Sequence, residues 1–145
     1  MTDLAQAMVE HFEGCRLTAY KDSLGVWTIG WGHELEQNID WTGHTITQDV
    51  ADSLLSADLE HARVLATGFP NYHAMNDVRQ AVCMSMCFQL GNKPLYWPKF
   101  NAALEVQDYK GAAAEGLNSL WAQQTPARAH QEMAMLETGL YDLPA

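Results

Sequence analysis

A change of period near residue 14 constrains this chain more than any other feature. Before it, Leu4, Met8, Val9 and Phe12 recur at helical spacing and predict a short amphipathic helix over about 3–12, stopped by Gly14. After it, Leu17-Thr18-Ala19-Tyr20 and Val26-Trp27-Thr28-Ile29 are rich in β-branched and aromatic residues. Between them, Lys21-Asp22-Ser23-Leu24-Gly25 has turn chemistry, so the stretch predicts a β-hairpin. The glycine-spaced run Gly30-Trp31-Gly32-His33 is expected to add a further strand. From residue 46 onward the helical signals return and persist. One β excursion in an otherwise helical chain predicts an α+β fold, mainly helical, with a small β-lobe and a helical body.

The helices can be placed from their caps. Thr47 can accept free amides and Asp49 favours the positive end of a helix dipole. Val50, Leu54, Ala57, His61 and Leu65 then form one stripe of a helix running to about Ala66, ahead of Gly68 and Pro70. Asn76 caps a helix from Asp77 to Leu90, closed by Gly91, whose long apolar run predicts burial on most sides. A short helix is expected from Lys99 to Val106, and another from Asp108, as cap, to Ala122. Thr125-Pro126 combines a cap with proline at the first helical position, and that last helix should end near Thr138, before Gly139. The expected layout is one domain over 1–145: an N-terminal helix, a β-lobe at about 14–46, a linking helix at about 48–66 and a helical body at about 70–145. A cleft between the lobes is the expected place for a ligand.

The formal net charge of −10 argues against nucleic acid or an anionic membrane as partner. Residues 1–66 hold 3 Lys and Arg against 11 Asp and Glu, and residues 67–145 hold 5 against 7. The nearly apolar run Gln80–Leu90 is far short of the roughly 20 residues that span a bilayer. Nor does the start pair a basic segment with an apolar one, so the expectation is a cytoplasmic chain with neither signal peptide nor stable membrane association. Cys15, Cys83 and Cys87 are an odd set that suits buried thiols better than disulfides. No metal or other cofactor is expected: the six histidines are scattered, His33-Glu34 has no second histidine four residues after the first, and no glycine-rich phosphate loop occurs.

Cutting a glycosidic bond takes two carboxyl groups, one protonated to supply the leaving oxygen and one ionised to attack or to activate water. An apolar setting suits the first and a polar, hydrogen-bonded one the second. Glu13 follows Phe12 at the end of an apolar helix, Asp22 lies in a polar turn, and Thr28 has a hydroxyl able to orient water. Taken alone, such residues are ordinary helix-end and turn chemistry.

The wider pattern adds to this. Glu13-Gly14-Cys15-Arg16-Leu17-Thr18-Ala19-Tyr20-Lys21-Asp22, followed by Gly25-Val26-Trp27-Thr28-Ile29-Gly30-Trp31-Gly32-His33, resembles the phage lysozymes of glycoside hydrolase family 24. Arg79-Gln80-Ala81 leading into Phe88-Gln89-Leu90-Gly91 resembles the family's central helix. Trp121-Ala122-Gln123-Gln124-Thr125-Pro126-Ala127-Arg128-Ala129, then Thr138-Gly139, forms a third matching block. The resemblance covers nearly the whole chain, in order.

It implies a lysozyme-like fold and an N-acetylmuramidase that cuts the β-1,4 bond between N-acetylmuramic acid and N-acetylglucosamine. Glu13 would be the general acid, Asp22 the carboxylate acting with water on the opposite face of the sugar, and Thr28 a positioner of that water. Arg128 would hold Glu13, and His33 would pair with Asp58. Relatives of this type invert configuration, which predicts carboxyl groups about 6.5–9.5 Å apart. Phe88 and Gln89 match substrate contacts, although Phe88 can equally pack, and Trp121 is expected in the core. Glu34 matches a further contact position that is usually apolar in the family.

The implied partner is peptidoglycan, cut for host lysis at phage release by a monomer. The enzyme would be held in the host cytoplasm until a separate pore-forming phage protein, a holin, lets it reach the periplasm. The alternatives are a lytic transglycosylase, which cuts the same bond without water, and a virion-associated protein of lysozyme fold that holds glycan.

Overall fold

The computed structural model describes residues 4–144, so the expected helix start at residue 3 and both ends of the expected 1–145 domain lie outside the described residues. The architecture is mainly helical α+β, with seven α-helices and one three-stranded antiparallel sheet among the described residues. Helix α1 spans Leu4–Glu13 and turns Ala5, Met8 and Val9 inward. The hairpin follows as β1 (Arg16–Lys21) and β2 (Trp27–Gly30), with Lys21 opposite Trp27 and Tyr20 opposite Thr28. The register shifts between Arg16 and Tyr20, where β1 bulges.

The expected strand over Gly30–His33 is corrected. Gly30 ends β2, Trp31 and Gly32 form a turn, and only His33–Glu34 pairs as β3. Gly30 and Gly32 have φ of 65° and 73°, a region where glycine meets no steric cost, so the two glycines bend the chain. Beyond β3 the chain closes back on the sheet through an isolated bridge between Thr18 and Thr45.

Helix α2 occupies Gln48–Ala66, and the Thr47 hydroxyl accepts from the Val50 amide at 3.2 Å. Its inward face is one position away from the expected stripe: Ala51, Leu55, Leu59, Ala62 and Ala66 are buried, whereas Val50, Ala57 and His61 are exposed. Small alanines let α2 lie close to its neighbours; at the close approach, Gly30 faces Ala51.

Helix α3 (Asp77–Leu90) begins at Asn76, whose side chain accepts from the Arg79 amide, and packs against α1, α2 and α7. Its buried residues include Ala81, Val82, Cys83, Met86 and Cys87, as a central helix requires. Of the three cysteines, Cys83 and Cys87 are buried as expected, but Cys15 is half-buried in the β-lobe. Burial pushes the Cys87 thiol up to about 12.

Helix α4 is Pro98–Glu105. The single helix expected from Asp108 to Ala122 is two: α5 (Tyr109–Leu117), capped by Asp108, and α6 (Leu120–Gln124), capped by Ser119. Asn118-Ser119 interrupts it, because a serine hydroxyl that accepts the Ala122 amide starts a new helix. Helix α7 spans Pro126–Thr138, ending at Gly139 with φ 72°. Thr125 holds the N-cap position, but its side chain accepts no amide of α7. Its hydroxyl donates instead to the Trp121 carbonyl and accepts from Gln89. The main core joins Met8, Met86, Phe100, Leu104, Met133 and Leu136, and a smaller cluster of Val9, Leu55 and Leu59 lies between α1 and α2.

Candidate active site

Glu13 is the last residue of α1, ended by Gly14 with φ 64°. Its side chain stands at the negative end of the α1 dipole, a place that disfavours added negative charge. The Arg128 guanidinium donates to Glu13 Oε2 from Nη1 at 2.5 Å, and this pair is largely shielded from solvent. Phe12 covers the same guanidinium, with its ring centroid 4.9 Å from Cζ.

On the facing hairpin, Asp22 is exposed at the end of β1. Its Oδ1 accepts from the backbone amides of Leu24 and Val26, both at 2.9 Å, which fixes the carboxylate on the turn. Tyr20 lies between the two acids electrostatically. Burial first, then the charges of Glu13 and Asp22, hold its phenol above the usual range, while Arg16 opposes.

A trough of two connected volumes follows this line. The first, about 670 Å³, is lined by Glu13, Asp22, Tyr20, Lys21, Gln89 and Arg128 among others. The second, about 540 Å³, is lined by Glu13, Gly32, His33, Glu34, Asp58 and Phe88 among others, and also by Gln89. Glu13 and Gln89 belong to both volumes, so the candidate acid stands where they meet. Volumes of this size are typical of ligand sites. Gly32 is part of the floor: a β-carbon there would overlap the Glu13 carboxylate, so the turn must be glycine for the acid to sit where it does.

The sequence-derived candidates divide. Glu13 and Asp22 share the first volume, with Arg128 beside them. Thr28 lines neither volume; it is buried in β2 and its hydroxyl donates to the Val26 carbonyl at 2.8 Å. His33 Nδ1 lies 2.7 Å from Asp58 Oδ2, and the bond to Asp58 holds the imidazole above its ordinary value despite partial burial. Glu34 is exposed at the rim of the second volume. Phe88 does both of its possible jobs, packing against the two core clusters while lining the trough. Trp121 is in the core, 3% exposed, yet its indole N–H donates to Gln89 Oε1 at 2.8 Å. With Gln89 Nε2 bound to Thr125 Oγ1, the amide at the centre of the trough has a fixed orientation.

Two residues behind the acid were missed from the sequence. Ser85 on α3 and Glu132 on α7 are fully buried and contact Arg128 from the side away from Glu13. A signal existed: Arg128 and Glu132 are four apart on a helix whose Ala129, Met133 and Leu136 form an apolar face. Among the described residues, no group of three or more His, Cys, Asp or Glu side chains is arranged to hold a metal ion, and no helix is long and apolar enough to cross a membrane.

Comparison with known proteins extends the geometry. The family model described as phage lysozyme matches residues 10–136. The chain is 29% identical to "Probable T4-type lysozyme 1" of Dictyostelium discoideum, over 96% of each chain. It is 32% identical to an endolysin of Acyrthosiphon pisum secondary endosymbiont phage 1, over 74% of this chain and 71% of that one. It is also 30% identical to the pre-baseplate central spike protein of Enterobacteria phage T4, over 91% of this chain but only 27% of the spike protein.

Proposed function

Because this chain belongs to the phage lysozyme family and is a glycoside hydrolase, a lysozyme, we propose that it cleaves the β-1,4 bond between N-acetylmuramic acid and N-acetylglucosamine in peptidoglycan, with Glu13 as acid and Asp22 as base. The observation that carries this reading is the shared trough: two carboxyl groups line one groove from opposite lobes, in different surroundings. Glu13 is shielded and held by Arg128, while Asp22 is wet and bound by amides.

Glu13 donates its proton to the glycosidic oxygen as the C–O bond breaks. Asp22 accepts a proton from water as that water bonds to the anomeric carbon from the other face. Thr28 supports the hairpin from below, its hydroxyl tied to Val26 one residue past the turn. Gln89, fixed by Trp121 and Thr125, binds the sugar on the body side, with Phe88 and Glu34 along the adjoining rim. His33 and Asp58 act as a pair that positions the wall of the second volume. The product is a new reducing end with inverted configuration.

In the cell this chemistry fits a monomeric endolysin held in the host cytoplasm until a separate pore-forming protein releases it to the wall. The likeness to a central spike protein favours a second setting for the same activity, on the virion during infection. Detection of the chain in purified virions decides between them.

Digestion of purified peptidoglycan in 18O-labelled water tests the reaction. One 18O atom in each new reducing end is expected. Anhydro-sugars free of label would instead identify a lytic transglycosylase, which uses a sugar hydroxyl in place of water. Glu13→Gln should lower kcat by about 100-fold or more.

A further inference from the structure

Arg128 is shared. Its Nη1 donates to Glu13 Oε2 at 2.5 Å, while its Nε donates to Glu132 Oε2 at 2.7 Å. Nη2 donates to the Ser85 hydroxyl at 3.0 Å and to the Ser85 carbonyl at 3.3 Å, and that hydroxyl donates to Glu132 Oε2 at 3.1 Å. Glu132 has no exposed surface, and its Oε1 has no hydrogen-bond partner.

Such a carboxyl is a poor way to stabilise a fold. A buried oxygen left unpaired is destabilising, and well-packed apolar residues generally do as well as a buried ion pair. The surrounding face of α7 is apolar, with Ala129, Met133 and Leu136, so a methionine or leucine would suit the site. The position of Glu132 is instead explained by what it does to Arg128.

We propose that Glu132 is a positioning residue for the acid: it takes up one edge of the Arg128 guanidinium, so that the other edge can orient Glu13 without imposing a full, unshared positive charge on it. The inference rests on the reading of Glu13 as the acid. The cluster holds one guanidinium and two carboxyl groups. With Glu132 ionised, Arg128 and Glu132 neutralise each other and Glu13 can carry the proton it must give. Without Glu132, the guanidinium faces Glu13 alone and favours its carboxylate form.

Burial pushes the Glu132 carboxyl above the usual range, while Arg128 and Ser85 act against that push. The other titratable groups acting on this site are Glu13 from α1 and the Cys83 thiol from α3. The residues buried from α5 and α6, namely Ala112, Ala113, Gly116, Trp121 and Ala122, do not titrate.

The test compares pH profiles of kcat and KM for the wild type, Glu132→Gln and Glu13→Gln on soluble peptidoglycan fragments. Glutamine keeps the shape and can still accept from Arg128 Nε, but cannot neutralise it. The alkaline limb of the Glu132→Gln profile should move about one pH unit lower, with KM unchanged and a cooperative melt. An unmoved limb, or an equal loss of kcat at every pH, would mean a merely structural role and overturn the proposal. Activity retained by Glu13→Gln would remove the acid assignment itself, whatever Glu132→Gln does. Should Glu132→Gln not fold, a 13C-carboxyl NMR titration of the wild type decides. Glu132 must be ionised across the active pH range, and a protonated Glu132 there overturns the inference.

Discussion

Arg128 and Glu13 are 115 positions apart in sequence and 2.5 Å apart in space, so the last helix of the body holds the carboxyl at the end of the first. The pair joins α7 to α1 at the trough, and the packing of both helices on α3 sets its geometry. Removing the guanidinium strands Glu132 as a buried charge. Arg128→Met is therefore expected to destabilise the protein by about 3 kcal/mol in urea unfolding. Adding Glu132→Met should restore most of that loss, because both buried ionic groups are then gone. A double variant no more stable than the single one would contradict this account of the cluster.

Gly32 makes the acid's position a matter of backbone shape. Its φ of 73° already disfavours any residue with a β-carbon, and that carbon would also collide with Glu13. Gly32→Ala should lose about 1–2 kcal/mol of stability and a far larger share of activity, about 10-fold or more in kcat. Gly43→Ala is the comparison, with φ of 80° and no atom within 4 Å of the added carbon. It should show the strain alone and keep full activity. Equal activity loss in both variants would mean that Gly32 acts through the fold rather than through Glu13.

These two relationships differ in how far the sequence reveals them. Local chemistry was legible: Thr47 and Asn76 announce α2 and α3, and Lys21 through Gly25 announces the turn that carries Asp22. Relationships across the fold were legible only where the family resemblance supplied them, as for Arg128 with Glu13 and His33 with Asp58. The glycine-spaced run read as strand because a glycine's φ cannot be inferred from its neighbours, and the turn at Gly32 is explained only by Glu13 lying against it. The expected face of α2 differs by one position because leucines at both 54 and 55 fit a stripe, and only packing selects Leu55. Asn118-Ser119 is compatible in sequence with an unbroken helix, since a serine caps or continues a helix according to what its hydroxyl meets. An arginine and a glutamate four apart normally face water, so the spacing of Arg128 and Glu132 does not by itself announce a buried pair.

The His33–Asp58 pair predicts a pH dependence of stability. The bond to Asp58 raises His33 above its ordinary value of 6.5. The folded state therefore binds the proton more tightly than the unfolded state. Its contribution is complete below about pH 6.5 and is lost as pH rises through the raised folded value. For a partly exposed pair the loss should be about 1 kcal/mol, read from urea unfolding at pH 6 and pH 8.5. Glu132, also raised, acts in the same direction only over the pH range in which it titrates, so the assignment rests on the difference between variants. Asp58→Asn should remove the His33 share, and an unchanged pH dependence in that variant would refute it.

The distribution of charge predicts how the enzyme responds to salt. The chain carries −10 overall, with the acid excess concentrated in residues 1–66, yet Arg16, Lys21, Lys93 and Arg128 line the trough. Bacterial wall is anionic, so its approach to this protein is opposed at long range by the body, while inside the trough the cations and the carboxylates of Glu13, Asp22, Glu34 and Asp58 offer close contacts of both signs. Added salt acts unequally on these two effects: at about 0.1 M the screening length is near 10 Å, which removes the long-range repulsion while leaving contacts inside the groove largely intact. The rate on purified wall should therefore rise or hold between about 0.01 and 0.1 M salt. Uncharged chito-oligosaccharides, if cut at all, should show no such rise, because they feel no repulsion to be screened. A steep fall on wall over that range would show that attraction by the groove cations, not repulsion by the acidic body, controls association.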